Sequence, residues 1–320
     1  MKVYINNYIK CNLELKLLVS MGKLKEQLSK KIPDWRYNYR QLLDEKGDQV
    51  TSTVTINAAY SGMKGVKGMI CDTSSVTADA GLHVRGKHIL DLVDLKPEEI
   101  LYLLLIGDLP NSEELADLQK DLNERSTVPD YVWDVLSGMP KDSHPMAMFN
   151  TAILSMQKES KFAKAYDLVV SKGDYWESTL EDGLNIIAKL PAIGAAVYRL
   201  RFNKGERLES GDSLDWSENF LQMMGSDYSE DMLKMMQLYL MLHCDHEGGN
   251  VSTFSALTVN SALSDPYYSL SAGLNGLAGP LHGLANQNNL KFVLDIIDHY
   301  KGIPSDEQLK EFSWDRLNSG

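Results

Sequence analysis

Cysteine is the scarcest structural resource in this chain. Cys11, Cys71 and Cys244 are too few and too scattered across 320 residues to build a disulfide framework, which points to a reducing compartment. No run of about 18 apolar residues occurs, so no membrane span is expected. Basic residues are also outnumbered. Lys and Arg total 32 against 44 Asp and Glu, a formal net charge of −12. That balance argues against a broad nucleic-acid-binding face, yet leaves room for a local basic pocket that takes a small anion. Repeats of solenoid length and low-complexity linkers are missing. The first 34 residues hold seven lysines but also Glu14, Glu26 and Asp34, with no arginine before Arg36. Transit peptides are rich in Arg and poor in acids, so a bacterial cytoplasm is favoured, with the mitochondrial matrix as the alternative. Met21 is an alternative start, with residues 1–20 then an upstream extension.

Hydrophobic residues make up 43% of the chain, enough for a substantial core. Residues 21–45 read as a charged surface helix interrupted at Pro33. Thr51 to Val76 is rich in β-branched residues and glycine and predicts short strands and turns. Gly62, Gly65 and Gly68 match neither G-x-G-x-x-G nor a Walker A loop, so turn-making is the better reading. Leu82 to Ile89 repeats the strand-and-turn character and sets His83, Arg85 and His88 close together.

Everything beyond is helix signal. Pro97 with Glu98 and Glu99 opens one helix, which stops at Gly107. Asn111 or Ser112 caps the next, whose Leu115, Leu118 and Leu122 share a face. Pro129 opens a short one that closes at Gly138, and Pro145 another, with Met148, Phe149, Ala152, Ile153 and Met156 on its apolar side. Leu184 to Leu200 is apolar nearly all round and rich in small residues, and Met232 to Leu242 is similarly apolar. Such helices sit in a large core or at a subunit interface. Leu290 to Tyr300 and the stretch after Ser305 complete a mainly α-helical protein with a small β-containing segment near residues 50–90.

Chemistry-bearing side chains concentrate between His243 and Gln287. Three of the seven histidines fall there, among the glycine-bearing turns HEGGN, GLNGLAG and HGLAN. The i, i+3 spacing of His243 and His246 places them on one helix face, with Gly248 and Gly249 ending that helix. Asn250 then caps a helix running from Val251 to Ser264, whose first N–H groups favour an anion. His282 follows Pro280 in a turn where backbone and ligand can approach closely. Several readings stay open on the residues alone. The histidines could be satisfied interior groups. His243 and His246 with Asp245 or Glu247 could hold Zn²⁺, although no H-E-x-x-H is present and a further ligand is needed. Cys244 could pair with a histidine as a nucleophile, although adjacent helical residues point apart.

At this stretch the sequence resembles the citrate synthase family, of the type found in mitochondria and some bacteria. HCDHEGGNVS, NSALSDPYYS and NGLAGPLHGLANQ follow the family's central block. Upstream, YSGMKGVKGM, HVRGKHI, HPMAMFNTAILSMQKES, FAKAY, YWE, IAKLPAI and SLDWSENF match it in order. The resemblance covers Leu42 to Gly320. It implies an all-α, two-domain citrate synthase-like fold: residues 1–41 as an N-terminal extension and helix, 42–284 as a large helical domain, and 285–320 as the beginning of a small one. It implies a homodimer built on packed helices, and an acyltransferase of the tricarboxylic acid cycle. Such an enzyme condenses acetyl-CoA with oxaloacetate and hydrolyses the citryl thioester to citrate and CoA, with no metal and no cofactor beyond acetyl-CoA as substrate.

Carried over residue by residue, His282 matches the histidine that hydrogen-bonds the thioester carbonyl and stabilises the enol or enolate. A neutral imidazole with its other nitrogen held by backbone serves that role. His246 matches a histidine contacting oxaloacetate, Asn250 a residue lining that site, and His243 a neighbour with a less direct role. Leu277, Ala278 and Gly279, within the stretch reaching Asn286, fall beside the thioester end of CoA. The family also uses a second histidine in a G-Y-G-H segment, an aspartate base and several arginines. These follow the LNSG segment in the family, and Arg207 and Arg316 do not match the arginines. The expectation is therefore a C-terminally truncated polypeptide, inactive or nearly so alone, with loose folding or aggregation. The alternatives are a 2-methylcitrate synthase acting on propionyl-CoA and a non-catalytic helical dimer or scaffold.

Overall fold

The computed structural model describes residues 22–62, 65–211 and 215–319. Helix α1 spans Lys23–Lys46 and α2 Ile56–Tyr60. A small antiparallel sheet follows, ordered β1 (Ser74–Thr77), β2 (Gly81–Val84), β3 (Lys87–His88), with Ser74 opposite Val84 and Val84 opposite Lys87. The remaining elements are helical: α3 Pro97–Ile106, α4 Ser112–Arg125, α5 Asp130–Ser137, α6 Pro145–Ser155, α7 Lys161–Asp167 and α8 Tyr175–Arg201. Then come α9 Trp216–Met224, α10 Glu230–Leu242, α11 Val251–Asn260, α12 Pro266–Leu277, α13 Ala285–Tyr300 and α14 Asp306–Ser319.

The molecule is built around α8. One side of this 27-residue helix puts Ile186, Ile193, Ala196 and Val197 against α5, α6 and Tyr267 of α12. Another side puts Leu184 and Ala188 against α1, α3 and α4 through Leu24, Leu28, Tyr102, Leu118 and Leu122. Small residues let the neighbours approach. A third cluster joins Val84 of the sheet to Ile100 and Leu103 of α3 and Met241 of α10. Buried Asp182 fixes α7 on α8: its carboxylate accepts from Ser160 Oγ at 2.7 Å, Lys161 N at 2.6 Å and Phe162 N at 3.1 Å. At the far end α13 and α14 share a ring cluster in which Phe312 meets Phe292 and His299.

Local signals are obeyed where the determinants are local. Asn111 makes a capping box with Glu114, Gly107 ends α3 at φ 87°, and Ser305 Oγ receives Gln308 N. Three expectations are corrected. Pro33 does not interrupt α1, which continues to Lys46. Both Pro33 and Ser29, whose carbonyl loses its partner, are exposed, so water can replace the bond. The segment after Thr51 is not all strand and turn, because Thr55 Oγ1 caps a helical turn at Ala58 N. The helix carrying His243 ends at Leu242, before either glycine of HEGG.

Candidate active site

The reason α10 stops early lies far away in sequence. Strand β1 is an edge strand, and its unpaired backbone attracts partners. The chain after His243 runs past it as an irregular segment. Glu247 N–H donates to Ser74 Oγ at 2.7 Å, and Val76 N–H donates to Glu247 Oε1 at 2.5 Å. Glu247 adopts φ +57° to make both contacts, an uncommon conformation for a residue with a side chain. His243 and His246 are thus not two positions on one helix. His243 is the C-cap of α10, and His246 sits in the irregular segment that follows.

Asn250 caps α11 as expected: its Oδ1 receives Thr253 N–H at 2.9 Å. The helix is shorter than expected and stops at Asn260. α11 and α12 cross closely because two glycines allow it. A Cβ on Gly273 would lie 3.2 Å from Ser252 O, and one on Gly276 3.3 Å from Val251 O. That approach brings Ser252 to the turn beyond α12. The turn is tight: His282 N and Gly283 N both donate to Gly279 O at 3.0 Å. A Cβ on Gly283 would fall 2.0 Å from Leu277 O, so only glycine fits. Within this frame His282 Nε2 and Ser252 Oγ stand 2.8 Å apart. The partner holding the imidazole is therefore a side-chain hydroxyl, where a backbone group was expected. Sequence reasoning missed Ser252. Its only trace is a position two residues after the Asn250 cap and a pair of glycines on the facing helix.

His243 is tied in by another route. Its Nδ1 lies 2.6 Å from Tyr239 O, its ring stacks 4.3 Å from the Tyr239 ring, and the Tyr239 hydroxyl accepts from Asn286 Nδ2 at 2.9 Å. The end of α10 is so linked to the first turn of α13. His246 is exposed and makes no hydrogen bond, ion pair or ring contact with the described residues. Leu277, Ala278 and Gly279 form the end of α12 and the start of the His282 turn.

The competing readings fare less well. Glu247 is engaged by the strand and His243 by Tyr239, so the proposed donors do not converge. Among the described residues no group of three or more His, Cys, Asp or Glu is placed to hold a metal ion. Although the Cys244 residue is exposed at the surface, desolvation at its sulfur pushes the thiol up to about 11, helped by Asp245 and Glu98, and the Sγ donates to Leu240 O. It stays a thiol at neutral pH and is a poor nucleophile. A cleft of about 680 Å³ opens between the glycine-rich segment that includes Lys67 and Gly68 and the loop of Glu247, Gly248 and Asn250. That is the size of a small-molecule site.

The protein-family comparison decides the affiliation. Residues 62–320 match the model of the citrate synthase C-terminal domain. The chain belongs to the citrate synthase family. A mitochondrial citrate synthase 4 of Arabidopsis thaliana is 40% identical over 307 residues, which cover 93% of this chain and 65% of the plant protein. A mitochondrial 2-methylcitrate synthase of Yarrowia lipolytica is 39% identical over 308 residues, 93% of this chain and 66% of that one. The solved citrate synthase of Pyrobaculum aerophilum superposes with a TM-score of 0.70 at 30% identity, over 78% of this chain and 63% of that chain. The all-α citrate synthase fold is thereby established. The chain spans just under two thirds of the length of the Arabidopsis protein. Both relatives are named mitochondrial, whereas a citrate synthase of Saccharomyces cerevisiae that is 41% identical over 307 residues, 93% of this chain and 66% of that one, is named peroxisomal. Among the described residues no helix is long and apolar enough to cross a membrane.

Proposed function

We propose that this chain provides the enolate-stabilising and oxaloacetate-contacting residues of a citrate-forming acyltransferase. The observation that carries the reading is His282 held at Nε2 by Ser252, on a turn that Gly283 alone permits. If Ser252 donates to Nε2, the imidazole proton sits on Nδ1, the nitrogen left to face a substrate. A methyl group next to a thioester is weakly acidic. As its proton leaves, charge grows on the thioester oxygen, and a donor already fixed there lowers the barrier without reorganisation. The resulting enol or enolate carbon attacks the ketone of oxaloacetate. Water then cleaves the citryl thioester, leaving citrate and CoA.

His246 and Asn250 are the oxaloacetate-side residues in this reading. Asn250 Oδ1 already receives Thr253 N–H, so it would contact substrate through its amide nitrogen, whose one hydrogen bond among the described residues is a long one to Glu247 O at 3.4 Å. His243 acts one step removed, by bracing Tyr239 and through it Asn286. Leu277, Ala278 and Gly279 border the thioester end. Condensation also calls for a base to take the methyl proton and an acid for the ketone oxygen, and none of the residues named here is assigned to either task. A homodimer fits the apolar residues that α10 and α11 leave exposed, Met235, Leu242, Val251, Phe254 and Leu257 among them. The mitochondrial matrix is the proposed compartment.

Calorimetry with oxaloacetate tests the reading on the 320-residue polypeptide. Measurable affinity that falls at least tenfold in His246→Ala is expected. An affinity untouched by that change favours the non-catalytic scaffold. Full thiol release from acetyl-CoA and oxaloacetate by the polypeptide alone would contradict the half-site assignment. The 39% identity to the 2-methylcitrate synthase of Yarrowia lipolytica supports a second reading, with propionyl-CoA as acyl donor. Comparing the two acyl-CoA substrates decides between them.

A further inference from the structure

Glu98 lies at the second position of α3 and is 2% exposed. One of its oxygens is well used: Oε1 receives Trp216 N–H, the first amide of α9, at 3.0 Å and Gln119 Nε2 at 3.4 Å. The other, Oε2, is buried and has no hydrogen-bond partner among the described residues. A buried carboxyl oxygen left in that state costs several kcal/mol in principle, so a partner is required.

The surroundings indicate what kind. Glu98 borders a pocket of about 20 Å³ where α3, α4, α8 and α9 meet. Its remaining polar wall is Asn123, Ser126, Ser210 and Asn219, and its apolar wall includes Leu122 and Met223. One water needs roughly 10–15 Å³ of such space and two to four polar partners; two waters do not fit. The wall is held rigidly. The Trp216 indole donates to Ile187 O at 2.9 Å, Gly211 N–H donates to Asn219 Oδ1 at 2.8 Å, and Ser126 Oγ donates to Asn123 O at 2.7 Å. The nearby carboxylate of Asp215 is already paired with Lys96 at 3.0 Å and does not compete for Glu98.

We propose that this pocket is a binding site for one water molecule, held by Glu98 Oε2 and the polar wall, that cements the junction of the four helices. Water suits the site in either charge state of the acid, donating to a carboxylate or accepting from a carboxylic acid. A metal ion suits it less, because Glu98 is the sole charged group on the wall among the described residues and hard cations take about six or more oxygens.

Crystals of the protein grown in rubidium chloride and refined at high resolution provide the test. The expected result is one peak without anomalous signal, within hydrogen-bond distance of Glu98 Oε2 and of at least one of the four polar wall residues. An empty pocket overturns the proposal, and so does an anomalous rubidium peak, which makes the site a cation site. Glu98→Gln keeps the fold and the peak. Glu98→Met fills the pocket with an apolar chain and removes it, and a peak unchanged in Glu98→Met refutes Glu98 as the holder.

Discussion

Replacing Gly183 and Gly273 by alanine separates two roles that look identical in sequence. Both glycines lie inside helices, α8 and α12. In a helix interior, alanine is favoured over glycine by about 1 kcal/mol, because glycine loses more backbone freedom on folding. A Cβ at Gly183 meets nothing within 4 Å. Gly183→Ala should therefore keep most of that gain, about 0.5–1 kcal/mol, or roughly 2 °C in Tm for a chain of this size. A Cβ at Gly273 meets Ser252 O at 3.2 Å and Ala256 Cβ at 3.4 Å. One contact is backbone, so α11 must shift outward as a body. Overpacking of that kind costs about 1–3 kcal/mol, which outweighs the helix gain and leaves a net loss of about 1 kcal/mol. The shift also draws Ser252 away from His282. Urea unfolding at constant m value measures the first effect, and the ¹⁵N resonances of the His282 ring report the second. Gly273→Ala as stable as Gly183→Ala, with His282 resonances unmoved, would refute the claim that a close helix crossing builds the site.

Three further outcomes follow from contacts elsewhere. Gly283→Ala places a Cβ 2.0 Å from Leu277 O, so the turn must open. Substrate-dependent shifts of His282 in NMR should vanish while the α-helical circular dichroism persists. Asp182→Ala strands two amides and the Ser160 hydroxyl; at about 1–3 kcal/mol for each group left unmade, a loss of at least about 3 kcal/mol in chemical denaturation is expected, against little for an exposed Asp174→Ala. Burial acts to raise the Cys71 thiol, but hydrogen bonds from Thr73 and Ser74 outweigh it and hold the group below its usual value. Cys244 is pushed up to about 11. Iodoacetamide at neutral pH, followed by peptide mapping, should label Cys71 before Cys244 despite the greater exposure of Cys244.

What was legible in the sequence tracks how far a determinant lies from the residue it governs. Caps at Asn111, Asn250 and Ser305 were readable because donor and acceptor are within three residues. The buried face of α6 was readable because apolar spacing alone fixes it: Met148, Ala152 and Ile153 are at most 1% exposed. The end of α10 was not. The i, i+3 pair His243 and His246 is a fair helical signal, but the chain there answers to Ser74 and Val76, more than 170 positions away. The hydroxyl that holds His282 was hidden for a similar reason. Two small residues in α12 reveal that something approaches, not that Ser252 is what arrives. Met232 to Leu242 and Leu184 to Leu200 looked alike, yet α8 is buried along much of its length while α10 buries Met241 alone. Periodicity records that an apolar face exists; the partner that covers it is a property of the assembly.

The two histidines assigned to substrate contact differ sharply in how they are held, and the difference bears on catalysis. His282 is constrained from three independent sides: the turn hydrogen bonds to Gly279 O, the steric exclusion at Gly283, and the Ser252 contact. His246 is constrained by neighbours in the chain only, with Glu247 anchored to β1 on one side. A group that stabilises charge growing in a transition state gains most from being fixed beforehand, because reorganisation during reaction would consume the benefit. A group that contacts the ground-state substrate tolerates being ordered on binding, at a cost of about 0.5–1.5 kcal/mol per side chain immobilised. On the proposed assignment, the rigidity of the fold at His282 falls where it would lower a barrier. At His246, on the same assignment, adaptability would cost only affinity, and the anchored Glu247 limits how far its neighbour can move.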